Sequence, residues 1–124
     1  MKYGNLSKLF CLIFFFYSFS SFANLIEGQS VNMQILDKIT SKIKNINIDI
    51  NTTQEYGTLK IEVFTCYKRP PEEIPENFVL VRIFDVIKDS KMKVFQGWMI
   101  SSSPSAAPFE HPIYDVWIKD CIIK

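Results

Sequence analysis

The sequence predicts an all-β protein: a small β-sandwich or partly open barrel of about six antiparallel strands with one disulfide. Three observations predict it. Past the N-terminal segment, runs rich in Ile, Val, Phe and Thr repeat with the two-residue period of a pleated strand. Clusters of charge, Gly or Pro separate these runs at the intervals short strands need. Two cysteines, Cys66 and Cys121, lie in this part of the chain, which carries no unambiguous helix.

The N-terminus reads as a processing segment. Lys2 and Lys8 form a basic start, Leu9 to Tyr17 is apolar, and Phe19 and Phe22 extend the run. Ser21-Phe22-Ala23 places small residues at both ends of a triplet, as a signal peptidase site requires. The run is short for a membrane span, which needs about 20 apolar residues. Residues 1–23 are therefore expected to be a signal peptide cleaved after Ala23, leaving no stable membrane anchor; a retained anchor is the alternative. Cys11 sits inside the apolar run, three positions after Lys8 rather than after an aliphatic residue, so it does not read as a lipoprotein cysteine.

Cleavage leaves Asn24 to Lys124, 101 residues, the size of one domain. Loss of Lys2 and Lys8 leaves 12 basic and 13 acidic side chains. That balance gives no electrostatic footprint for nucleic acid. Residues 24–32 read as a flexible polar lead-in to a single β domain at 33–124.

From Met33 to Ile50 two periods compete. Ile35, Ile39, Ile43, Ile46 and Ile50 fit a helical stripe, whereas Ile46, Ile48 and Ile50 alternate with Asn47 and Asp49. Ile and Asn are modest helix formers, which favours two strands, Gln34–Ile39 and Lys44–Ile50, about a turn at Thr40–Lys42. Asn51–Gly57 reads as a loop. Thr58–Tyr67 is the clearest strand, with Leu59, Ile61, Val63 and Thr65 on one face and Lys60, Glu62, Phe64 and Cys66 on the other. Pro70, Pro71 and Pro75 end the ladder, since proline has no N–H to donate. Phe78–Ile87 reads as a buried strand, broken by Arg82 and Asp85, and Lys88–Lys91 as a charged turn. Met92–Ile100 follows, with Gly97 inside it. Ser101–Pro108 is a small-residue loop. In the last strand, Pro112–Cys121, Tyr114, Val116 and Ile118 share one face, and Asp115, Trp117, Lys119 and Cys121 the other. This alternation predicts Phe64 and Trp117 flanking the disulfide in a cluster outside the main core.

An even pair of cysteines in an exported chain reads as a disulfide. Two buried thiols and a redox-active pair are the alternatives, the latter disfavoured by the wide spacing.

Candidate chemistry is sparse. His111 is the lone histidine. With Asp115 or Glu110, and a serine among Ser101, Ser102, Ser103 and Ser105, it would supply the parts of a hydrolase. No serine lies in a Gly-x-Ser-x-Gly elbow, and a structural role for His111 weighs more. Neither zinc nor calcium finds a ligand set of ordinary spacing, although Glu72, Glu73 and Glu76 offer oxygens. No cofactor is indicated. The best contact surface is Lys68–Glu76, where proline stiffens a loop carrying Lys68, Arg69, Glu72 and Glu73; an internal ion pair between these charges is the plainer reading. Trp98 and Trp117 are candidate ligand platforms, Trp117 the better placed for exposure.

Several segments together, Ile35–Thr40, Tyr56–Ile61, Cys66–Glu76, Phe95–Pro104 and Glu110–Trp117 through Cys121, resemble the DUF2155 family of exported, mainly alphaproteobacterial proteins. The resemblance spans nearly all of the mature chain. It implies a Gram-negative periplasm and favours strands at Met33–Ile50, and it carries no catalytic residue. The expected function is thus a periplasmic, non-enzymatic domain that binds an envelope protein or cell-wall component. The alternatives are a hydrolase using His111, or an inhibitor presenting the Pro70–Pro75 loop.

Overall fold

The computed structural model describes residues 24–103 and 109–124. Residues 1–23, expected to be a signal peptide, Ser105 and most of the Ser101–Pro108 loop lie outside the described residues. Among the described residues, eight antiparallel strands run in chain order: β1 Ile26–Glu27, β2 Ser30–Asp37, β3 Lys42–Asp49, β4 Thr52–Tyr56, β5 Leu59–Lys68, β6 Asn77–Ile87, β7 Ser90–Ile100 and β8 Tyr114–Ile122. They form two sheets. One holds β5, β6 and β7 in that order, with β1 and β4 both pairing the remaining edge of β5; the other has the order β3-β2-β8. The all-β expectation holds, and the open strand order makes this a sandwich rather than a closed barrel.

Two strands were not expected. The lead-in 24–32 contains β1 and the start of β2, and the Asn51–Gly57 loop contains β4. Both segments are too polar to announce strands by alternation. Their order comes from pairing: Ile26 and Glu27 lie against Lys68 and Tyr67, and Thr52–Tyr56 against Leu59–Val63. The helical stripe fails visibly, since Ile39 and Ile43 are exposed while Ile35 and Ile48 are fully buried.

Turn chemistry fits the hairpins. Asp37 Oδ1 accepts from the Ile39 and Thr40 N–H groups at 2.9 and 3.2 Å, an Asx-type turn closed by left-handed Ser41. Asn51, also left-handed, carries the chain from one sheet to the other. Gly57 (φ 57°) is required twice over, because a side chain there would also strike the Tyr114 hydroxyl.

The core lies between the sheets. Val31, Met33 and Ile35 of β2 with Val116 and Ile118 of β8 face Leu59, Ile61 and Val63 of β5 with Val79, Val81 and Ile83 of β6. Cys66 and Cys121 are bonded, as the sequence suggested, and join β5 of one sheet to β8 of the other with Cα atoms 5.9 Å apart. Their surroundings differ from the expectation. Both cysteines are fully buried within the main core.

Phe64 and Trp117 form no outer cluster around them. A β-bulge at Phe64 breaks the register between Val63 and Thr65, and a second at Lys119 breaks it between Ile118 and Asp120. Each bulge inserts one residue two positions before a cysteine and turns that cysteine from the outer phase to the inner one. Phe64 instead packs under Arg82, and Trp117 faces outward opposite Gln34. Gly28 passes over the disulfide. Its N–H donates to the Cys66 carbonyl at 3.0 Å, and a Cβ there would run into the Cys121 sulfur and lie 2.8 Å from that of Cys66.

Candidate functional site

Among the described residues, polar or binding groups gather in several places. The first is His111 with Asp85. Both are buried, and His111 Nε2 lies 2.7 Å from Asp85 Oδ2. The other ring nitrogen, Nδ1, accepts from the Ile113 and Tyr114 backbone N–H groups at 3.0 and 3.2 Å. An acceptor at Nδ1 places the proton on Nε2, which therefore donates to Asp85. Phe109 stacks on the ring at 6.0 Å between centroids.

Burial pushes the Asp85 carboxyl up. Hydrogen bonding by Thr58 and His111 and attraction to the imidazole more than offset it, so the group sits below its ordinary range. Thr58 Oγ1 and Asp85 Oδ1 have no well-directed hydrogen bond of their own, so the hydroxyl favours the carboxylate by proximity rather than by a full bond.

Among the described residues, the parts of a hydrolase do not assemble around His111. Both ring nitrogens are engaged, leaving neither to take a proton from a nucleophile. Asp115 pairs with Lys38 at 3.3 Å, and Lys38 also donates to the His111 carbonyl at 2.7 Å. Glu110 is exposed. Ser103 bonds through its N–H to the Ile100 carbonyl, and Ser101 and Ser102 face Glu76.

That carboxylate is the second place. Glu76 Oε1 accepts from Ser101 Oγ at 2.9 Å, the Ser102 N–H at 3.0 Å and the Asn77 N–H at 3.2 Å, while Ser102 Oγ donates to Oε2. Asn77 Oδ1 accepts from the Cys121 N–H at 3.0 Å, which extends the network to the disulfide. Burial raises the Glu76 pKa; the bonds from Ser102, Ser101 and Asn77 outweigh it and lower it below its ordinary 4.5. Glu76 is thus spent internally and leaves the acidic loop to Glu72 and Glu73.

Both depressed carboxyls set a pH dependence. The folded protein binds these protons more weakly than the unfolded chain does, so their contribution is complete above about pH 4.5 and is lost as pH falls through the folded values. Urea midpoints should fall between about pH 5 and pH 3. Glu76→Gln should flatten that fall; an unchanged pH slope would exclude Glu76 as a source.

The third place is a groove of about 360 Å³ lined mainly by Ile26, Pro70, Pro71, Pro75 and Ile123, with Lys68, Arg69 and Glu73 on its walls. The loop behind it is closed by the Arg69 N–H on the Glu76 carbonyl at 3.1 Å and the Glu73 N–H on the Pro70 carbonyl at 3.0 Å. Of the expected contact residues, Lys68, Arg69 and Glu73 meet here. Their charges do not pair with one another: Lys68 binds Asp120 at 2.7 Å, and the Arg69 guanidinium lies 5.8 Å from the Phe78 ring centre. Glu72 and Glu73 are exposed. Arg69 is half-buried, which takes away the protruding arginine that an inhibitor loop needs. Trp117 lies on the other sheet, and Trp98, 44 % exposed, is the more open tryptophan.

Sequence reading missed Asp85 as the partner of His111. Its signal was present, because Asp85 shares the inward phase of Val79, Val81 and Ile83.

Residues 31–121 match the family described as "Uncharacterized protein conserved in bacteria (DUF2155)". An uncharacterised protein of Rickettsia prowazekii is 34 % identical over 103 residues, 82 % of this chain and 64 % of the relative. The match therefore spans a little under two thirds of that relative's length. No solved structure matches.

Proposed function

Because this chain belongs to the DUF2155 family, of unknown function, we propose that it is an exported envelope domain that acts by binding, not by catalysis. The ligand in this reading is an extended segment of another envelope protein, held in the groove beside Lys68–Pro75. The observation that carries it is the groove itself. Its floor is proline and isoleucine, its walls carry charges of both signs, and its loop is closed by two backbone hydrogen bonds and stiffened by its prolines. Rigidity matters because little conformational entropy is left to lose on docking. The basic and apolar N-terminus with its Ala23 site supports delivery to the periplasm, and a buried disulfide suits an oxidising compartment. The occupied imidazole supports a role without catalysis.

A photo-crosslinking amino acid at Glu73, on the groove, tests this against one at Thr53, exposed on β4. In cells of the source bacterium, Glu73 should give a discrete protein adduct in the periplasmic fraction, and Ile123→Asp should remove it. Identical adducts from both positions, or an adduct indifferent to Ile123→Asp, would sink the reading.

A further inference from the structure

The outer faces of the two sheets have opposite characters. On the three-stranded sheet the outward rows are Asn47–Asn32–Asp120, Asn45–Gln34–Trp117 and Ile43–Leu36–Asp115, mostly amide and acid. On the five-stranded sheet they are Tyr67–Phe78–Ile100, Thr65–Leu80–Trp98, Thr53–Glu62–Arg82–Gln96 and Glu55–Lys60–Phe84–Lys93. A sandwich normally turns polar side chains outward, so an outer face this rich in aromatic and aliphatic groups marks a contact surface.

Its charge is concentrated around Phe84. Arg82 lies between Phe64 and Phe84, 5.2 and 5.3 Å from the ring centres, and Lys91 Nζ sits 4.0 Å from that of Phe84. Lys60 and Lys93 flank the same ring in register. Arg82 is matched by Glu62 at 2.6 Å. Among the described residues, Lys60, Lys91 and Lys93 make no ion pair, and Lys93 donates only to Gln96. Lys60 and Lys91 also line a hollow of about 260 Å³ with Leu59, Val86 and Gly57; Glu55 is the carboxylate that shares it.

From this arrangement we infer that the Phe84 end of the outer face is a second binding site, for an acidic polypeptide segment that alternates carboxylate and apolar side chains. The carboxylates meet Lys60, Lys91 and Lys93, one of them entering the hollow, and the apolar side chains lie along Val86, Leu80 and Trp98. A glycan fits less well. Its sugar rings stack on open aromatic faces, and Arg82 and Lys91 already cover those of Phe64 and Phe84. Cations held over rings have lost much of their rotamer freedom, which favours a specific partner. The site is separate from the proline groove, which adjoins the opposite end of β6.

Fluorescence anisotropy with the purified, oxidised protein tests this. The probe is a labelled peptide alternating Glu and Val. The comparisons are its Gln/Val counterpart, polygalacturonate and phosphatidylglycerol vesicles. Saturable binding of the Glu/Val peptide is expected, weakened about tenfold by Lys91→Glu with Lys93→Glu and strengthened by Glu55→Gln. Lys119→Glu, on β8 of the other sheet, should leave it unchanged. Thermal melts establish that each variant is folded. The inference is overturned by no binding, by equal binding of the Gln/Val peptide, by a preference for the polysaccharide or vesicles, or by an equal loss in Lys119→Glu. A failed crosslink at Glu73 has no bearing on this result, so the two sites stand or fall separately.

Discussion

Replacing Cys66 and Cys121 together by alanine is expected to lower stability by about 4 kcal/mol, a fall of roughly 15–30 °C in melting temperature for a domain of this size. The figure comes from the loop the bond closes, 55 residues in sequence. In the unfolded chain the crosslink removes the freedom of the segment between the two cysteines, and its loss returns that freedom. Packing adds to the cost, since both sulfurs are fully buried among core side chains and each alanine leaves a void. Calorimetry of the oxidised protein beside the double variant measures the difference. A shift of only a few degrees would mean that the sheets hold together without the bond.

The second large effect is expected from His111→Ala. Removing the imidazole takes away the Nε2–H donor to Asp85 and the acceptor for two backbone N–H groups, that of Tyr114 buried and that of Ile113 partly so. A buried carboxylate left without its partner costs about 3–5 kcal/mol. The pH behaviour separates this cause from simple loss of packing. With the donor gone, burial raises the Asp85 pKa in the folded state, so the deficit should shrink in acid, where the carboxyl accepts a proton. Replacing both residues by leucine should cost less than His111→Ala alone, because no orphaned charge remains. Chemical denaturation of the variants across pH reads out both. A deficit independent of pH, or a double variant worse than the single, would place the contribution in shape rather than charge.

Much of this architecture was legible from the chain. Alternation located the long strands near Leu59–Lys68 and Asn77–Ile87 because each has a sustained apolar phase. It could not locate Thr52–Tyr56, whose side chains are almost all exposed and which is a strand only by virtue of its neighbour. It also misjudged the cysteines for a definable reason. Parity carries through a strand only while the register is unbroken, and the bulges at Phe64 and Lys119 leave no mark in composition. The same parity, read strictly, does place Asp85 inward, where a carboxylate needs a donor, and the lone histidine was the obvious one to try. Groove and aromatic face escaped detection because each joins residues distant in sequence, such as Ile26, Pro71 and Ile123.

The pairing of β2 with β8 has a kinetic meaning. Ser30 lies opposite Ile122, so the three-stranded sheet joins the two ends of the folded chain. A polypeptide delivered N-terminus first, from a ribosome or through a membrane pore, holds β2 and β3 for most of its passage without their third strand. The hairpins β5–β6 and β6–β7 can form locally, but closing the second sheet and its disulfide must wait for β8. The domain thus holds local hairpins but an open second sheet until β8 is delivered, and that strand acts as the timer for its folding.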